Sequence, residues 1–187
     1  MTKLKVTVSS KEEARHAVPF ASAIGVSVDV NSRESILAAR EIFASLPIFL
    51  YTVAEIEPRF AAQAMRVYEL AAPHALEIRG SEKPEYLKKL RSKLGCHVIK
   101  SLEGGDAEKV AKYAEACDAI AIKLAKPEVE LGLRLKGLTP KPVIFSFYEV
   151  NESVEDFLAE VKPFAISLSF KQLAGQRINS LLAKLSP

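Results

Sequence analysis

The chain is expected to fold as a (β/α)8 barrel, and three observations lead there. Eight short runs rich in apolar and β-branched residues recur along 187 residues, and eight is the number of strands that closes such a barrel. The stretches between them mostly carry apolar residues at i, i+3, i+4 and i+7, the pattern of a helix with one buried face. Strand and helix alternate from end to end, which implies parallel strands joined by helical crossovers. An open doubly wound sheet is the competitor. It usually has fewer strands, and no Gly-x-Gly-x-x-Gly follows the first run to support a dinucleotide site. The chain is short for a barrel, so the loops must be short, and a single barrel domain is expected over 1–187.

The strands are read at 4–8, 23–29, 47–52, 75–79, 97–101, 119–123, 142–147 and 164–168. Several helices open on plausible caps: Ser10, Ser81, Asp106 and Asn151 each precede an acidic or helix-forming stretch. Gly95 resembles a helix stop. The closing helix is read over "KQLAGQRINSLLAKL". "AKPEVELGLRLKG" has a weak helical pattern and reads as a short helix or a loop.

Composition excludes several classes. Hydrophobic residues make up 49% and charged residues 26%, an ordinary soluble balance. A net charge of +3 with both signs interspersed is too mild to imply a nucleic-acid partner. No apolar run reaches the ~18–20 residues of a membrane span, and "MTKLKVTVSS" lacks the apolar stretch of a signal peptide. Two cysteines make no disulfide framework. A cytoplasmic location is the expectation.

In this fold, active sites lie where the strands run out at their C-terminal ends. That rule sorts the reactive residues. Cys96, His97, Cys117 and His74 lie at strand starts, and His16 lies in the first helix. All five are expected away from the mouth, so thiol, imidazole and metal chemistry have little support, and no cofactor is expected. Near the mouth the reading places Thr7, Ser9, Asp29, Arg33, Tyr51, Glu55, Arg79, Gly80, Lys100, Lys123, Ser146, Tyr148, Ser169 and Lys171. Lysine and arginine dominate this set, which suits a small anionic ligand such as a phosphate or carboxylate. Within "DAIAIKLAKP", strict alternation turns Ala119, Ala121 and Lys123 inward and Ile120 and Ile122 toward the helices.

Ordered segments of the chain resemble the phosphoribosylanthranilate isomerase family. "APHALEIRGSEKPEYLKKL" is similar to a fourth strand reading Val-Gln-Leu-His-Gly-Glu-Glu. "HVIKS" is similar to the strand after it, which often ends Ile-Lys-Ala, and "KPFAISLSF" resembles Arg-Pro-Phe-Ala-Val-Asp-Val-Ser-Ser-Gly. "FSFYEVNESVEDFL" resembles Leu-Ser-Gly-Gly-Leu-Asn-Pro-Glu-Asn-Val, and "AIGVSVDVNSRESILAAREI" resembles the second unit. The resemblance implies an intramolecular oxidoreductase, an isomerase of tryptophan biosynthesis. It would perform an Amadori rearrangement without metal or cofactor, using a cysteine base on the first strand and an aspartate acid on the sixth. Glycine-rich turns after strands seven and eight would bind phosphate through backbone N–H groups.

The departures fall on the parts that carry chemistry. "KLKVTVSS" resembles Lys-Val-Lys-Ile-Cys-Gly-Ile, which puts Thr7 at the base position if Lys5 matches the inward lysine. An ungapped match from the following helix puts Val6 there instead, while period-2 geometry supports Thr7. Lys123 takes the acid's place, and Phe147-Tyr148 replaces Gly-Gly. Ser169-Phe170-Lys171 replaces Ser-Ser-Gly, and Arg79 replaces the histidine before Gly80. Arg33, Lys100 and Ser146 match the family's residue types. Isomerase activity is therefore expected to be weak, altered or lost, with Asp29 the one evident substitute base. The ligand is expected to be held by Arg33, Arg79, Gly80, Lys100, Ser146 and Ser169, with Lys123 adding a cation. Two other readings are a non-catalytic barrel that serves as a binding or partner subunit, with "FSFYEV" as aromatic docking area or simply barrel filling, and a Schiff-base enzyme of the class I aldolase type using Lys123.

Overall fold

A computed structural model describes residues 1–104 and 107–174. The elements run β1 (Lys3–Val8), α1 (Lys11–Ala17), β2 (Ala23–Ser27), α2 (Arg33–Ala44), β3 (Tyr51–Ile56), α3 (Ala61–Ala71), β4 (Ala75–Ile78) and α4 (Pro84–Arg91). They continue β5 (His97–Glu103), α5 (Ala107–Tyr113), β6 (Ala119–Leu124), α6 (Val129–Gly137), β7 (Val143–Phe147), α7 (Ser153–Val161), β8 (Ala165–Ser169) and α8 (Phe170–Ala174). The strands close into one parallel barrel in sequence order, with β8 pairing back onto β1. No helix among the described residues is long and apolar enough to cross a membrane.

Side-chain alternation divides the core in two. Leu4, Val6 and Val8 of β1, with Ile120 and Ile122 of β6, join a large cluster between sheet and helices. Inside the barrel, Val53, Ala75, Ile99, Ala119, Ala121, Ile144 and Ala165 form a second cluster. Four of those seven are alanines, so the interior has room for long polar side chains above them.

The third strand departs from its expected limits. Pro47–Leu50 forms a turn closed by Leu50 N–H to Pro47 O at 3.0 Å, and the strand begins at Tyr51. Pro47 has no N–H to give a ladder, and the apolar turn residues drew the reading four residues early. Tyr51 therefore stands at the strand's start, at the opposite end from the mouth. "VELGLRLKG" is helical; a Cβ on Gly132 would lie 2.5 Å from the Phe157 ring, so this glycine lets α6 lie close against α7. Phe145 and Phe147 neither fill the barrel nor offer a docking face. They are buried outward and meet Phe157 edge-on, with centroids 5.1 Å apart in each case.

Ser10 caps α1, its Oγ accepting Glu13 N–H at 3.1 Å, and Asn151 Oδ1 accepts Ser153 N–H at 3.1 Å. Ser81 does not cap α4, which starts after Lys83 with Pro84 in its first turn, where the missing N–H costs nothing. Gly95 is not the helix stop either: α4 ends at Arg91, with Ser92 right-handed behind it. Asp106 and the closing helix beyond Ala174 lie outside the described residues.

Candidate active site at the barrel mouth

The inward positions nearest the strands' C-terminal ends surround a cavity of about 360 Å³. Register sets which residues share it. Thr7 pairs with Gly25, Ser27 with Glu55, Glu55 with Glu77, and Glu103 with Lys123. Lys123 in turn pairs with Ser146, and Thr7 with Ser169.

Glu55 is the hub, only 3% exposed. Lys5 Nζ donates to its Oε1 at 2.8 Å and also bonds Glu77. Thr7 Oγ1 donates to Glu55 Oε1 at 2.6 Å, Ser27 Oγ donates to Oε2 at 3.1 Å, and Arg79 pairs with Oε2. Gly25 makes this possible, because a Cβ there would lie 2.7 Å from Glu55 Oε1 and 3.0 Å from Thr7 Oγ1. Burial alone would push the Glu55 carboxyl up, but the Lys5 and Arg79 charges outweigh it and hold it well below the usual range. Burial likewise opposes the charge on Lys5, and Glu55 with Glu77 overcomes it, holding the ammonium above its ordinary value.

Lys123 faces the cavity, its Nζ 3.8 Å from the Tyr148 ring centroid, a cation–π contact. The Tyr148 hydroxyl donates to Glu103 Oε1 at 3.2 Å. At the end of β8, Gln172 Oε1 accepts from Ser169 N at 2.9 Å and from its Oγ at 3.1 Å, while Gln172 Nε2 donates to Phe147 O at 2.9 Å. One side chain thus ties the ends of β7 and β8 together and occupies the Ser169 N–H.

Thr7, Arg79, Lys123, Ser146 and Ser169 line the mouth. Val6 is buried against the helices. Lys100 does not reach the mouth. It points outward, fully buried, donating to Gly80 O at 2.6 Å and Glu82 Oε2 at 2.9 Å, with its Nζ 5.5 Å from the Tyr113 ring centroid. Gly80, at φ 108°, presents that carbonyl and is not on the cavity. Arg33 is exposed at the first residue of α2, away from the cavity, and Asp29 is exposed and accepts Asn31 N–H at 2.9 Å. Tyr51 bonds His97 and the His74 carbonyl at the far end. The mouth is not a cationic rim: Lys5, Arg79 and Lys123 are matched in number by Glu55, Glu77 and Glu103.

The sequence reading missed Glu77 and the central place of Glu55. Parity carried the signal: with Ala75 inward, Glu77 must be inward too, by the rule that places Lys123. His74, Cys96, His97 and Cys117 lie away from the mouth cavity, and burial pushes the Cys96 thiol up to about 11. Among the described residues no three His, Cys, Asp or Glu side chains converge to hold a metal ion.

No protein-family model matches the chain. A curated N-(5'-phosphoribosyl)anthranilate isomerase of Methanocella arvoryzae is 28% identical over 186 residues, covering 90% of this chain and 87% of the relative. One of Methanothrix thermoacetophila is 25% identical, covering 80% and 77%. The solved phosphoribosylanthranilate isomerase of Thermotoga maritima superposes with a TM-score of 0.81 at 22% identity, over 99% of this chain and 97% of that one. That of Thermus thermophilus gives 0.79 at 22%, over 99% and 98%. The solved structures establish the fold, a (β/α)8 barrel. The sequence relatives point the same way: over most of its length the chain is similar to curated phosphoribosylanthranilate isomerases.

Proposed function

We propose that this protein keeps the barrel and mouth of a phosphoribosylanthranilate isomerase but has lost most or all of the isomerase reaction, and that the mouth holds a small anionic ligand. An Amadori rearrangement needs a proton delivered to the sugar-ring oxygen, which breaks the C1–O bond and leaves an iminium at C1, and a proton removed from C2 beside it, which gives the enolamine that becomes the ketose. A positioned acid or base typically contributes ~10²–10⁴ to such a step. The observation that carries the reading is the state of the base position. Thr7 Oγ1 donates its proton to Glu55, and that carboxylate is already neutralised by Lys5 and Arg79. Its proton affinity is lowered rather than tuned toward neutrality, so neither group is a useful base.

The acid position is equally changed. A lysine whose Nζ lies over the Tyr148 ring stands where the resembling family keeps its aspartate. That contact holds the Nζ against an aromatic face rather than free toward a carbonyl substrate, which disfavours a Schiff-base enzyme. Gln172 holds the Ser169 N–H, and Tyr148 stands where the resembling family has glycine. An anion would meet Lys123 with Ser101 and Ser146, all on the cavity wall.

Complementation of a tryptophan auxotroph lacking this isomerase tests the reading. Absence of growth is expected with the protein present and folded, and growth at the rate of an active isomerase would overturn it. Borohydride trapping with carbonyl substrates is expected to leave no adduct on Lys123.

A further inference from the structure

The mouth cavity is lined by polar groups whose hydrogen-bonding capacity the protein leaves unused. The hydroxyls of Ser101, Ser146 and Ser167 are half-buried on its wall and, among the described residues, bond no protein group. Glu77 is 5% exposed; Lys5 bonds its Oε2, while its Oε1 accepts from no donor among the described residues. Lys123 makes no ion pair among the described residues, and its contact is the Tyr148 ring. Register brings these groups together. Lys123 pairs with Ser146, and Ser146 with Ser167, so a cation and two hydroxyls stand on consecutive strands ~4.8 Å apart. Ser101 pairs with Ala121, the inward position below Lys123.

We infer that the mouth takes a polyhydroxy monocarboxylate, a ligand of the sugar-acid class; this rests on the reading of the mouth as an anion site and narrows it. The carboxylate meets Lys123 and Ser146, and the ligand's hydroxyls meet Ser101, Ser167 and Glu77 Oε1. Phosphate is disfavoured by the backbone. Phosphate sites gather successive N–H groups, and here those at the strand ends are occupied. Tyr148 N–H donates to Leu124 O and Glu149 N–H to Ala125 O, each at 3.0 Å, and Ser169 N–H donates to Gln172 Oε1 at 2.9 Å. Charge works in the same direction. Lys5, Arg79 and Lys123 are already matched by Glu55, Glu77 and Glu103 on the cavity wall, so a monoanion is easier to hold than a dianion. Glu77 selects for hydroxyls. A carboxylate oxygen only accepts, so it repels a bare anion and is satisfied by a ligand O–H. The cavity of about 360 Å³ lies at the small end of the ~300–1,000 Å³ of ligand sites, which suits such a molecule.

Isothermal titration calorimetry of the full chain tests it, with D-gluconate as the probe. Hexanoate supplies a carboxylate without hydroxyls, sorbitol hydroxyls without a carboxylate, and inorganic phosphate the competing anion. Gluconate is expected to bind at least ~10-fold more tightly than each of the three. Ser167→Ala is expected to weaken gluconate ~3–10-fold and to leave hexanoate unchanged, with an unaltered circular dichroism spectrum, since that hydroxyl bonds no protein group. Lys123→Met is expected to weaken both. Phosphate or hexanoate binding as tightly as gluconate overturns the inference and leaves the anion site standing. Sorbitol binding as tightly as gluconate overturns both. So does the absence of binding by every probe at millimolar concentrations, judged by heat and by the denaturation midpoint.

Discussion

At the scale of single residues, the mouth turns on Glu55. It is buried and accepts from Lys5, Thr7 and Ser27, with Arg79 paired beside it. Glu55→Gln removes the charge that compensates Lys5 and leaves a buried cation short of a partner. Breaking a buried pair from one side costs roughly 3–5 kcal/mol, and urea denaturation should show a loss of that order. The pH dependence has a definite sign. Glu55 titrates in the folded chain below its ordinary value of 4.5, so its stabilisation is present above that value and fades as pH falls through the folded one. Lys5 titrates above its ordinary 10.5, so its share is present below that value and is lost as pH climbs past it. The acid flank of the stability profile should therefore be shallower in Glu55→Gln than in the native chain. An equally steep flank would remove Glu55 from the account.

Elements were legible to the extent that pattern and neighbours agreed. β1 and β6 were readable to the side chain, because alternation alone places Thr7 and Lys123 inward. Lys100 was not, since resemblance set it at the mouth while parity from Ile99 sends it outward. Register confirms parity: Ile78 pairs with Lys100, and both are buried away from the cavity. The start of β3 was obscured by apolar residues in the turn before it. Ile48 and Phe49 in that turn are exposed, a placement that local propensity cannot anticipate. α6 was faint because Gly132 weakens a helix by ~1 kcal/mol relative to alanine, yet Phe157 needs its bare backbone. Gly132→Ala should thus destabilise despite its better propensity. The overpacking cost is typically ~1–3 kcal/mol, readable as a lowered denaturation midpoint. A raised midpoint would show that Phe157 moves aside freely.

At the scale of the molecule, the two ends of the barrel differ in chemistry while sharing one core. Alanines in the inner layer leave space at both ends. One end is filled by a charge-balanced network around Glu55, the other stays apolar and open. The fold was legible in the sequence because eight strand–helix units allow few closed arrangements. The site was only partly legible, because charge balance depends on which strands become neighbours. The lysine at the end of "AIAIK" does face the mouth, as alternation requires, and its Nζ lies over the Tyr148 ring.

Lost proton transfer is the central claim, and one measurement reaches it directly: steady-state conversion of phosphoribosylanthranilate by the native chain beside a Thr7→Cys, Lys123→Asp double variant. Thr7 and Lys123 both line the mouth, at the positions where the resemblance implies a base on β1 and an acid on β6. The account predicts background conversion by the native chain and a gain of at least ~10²-fold in kcat/KM by the double variant, with both proteins folded by circular dichroism. Conversion by the native chain at the rate of an active isomerase, abolished by Thr7→Val or Lys123→Met, would contradict it.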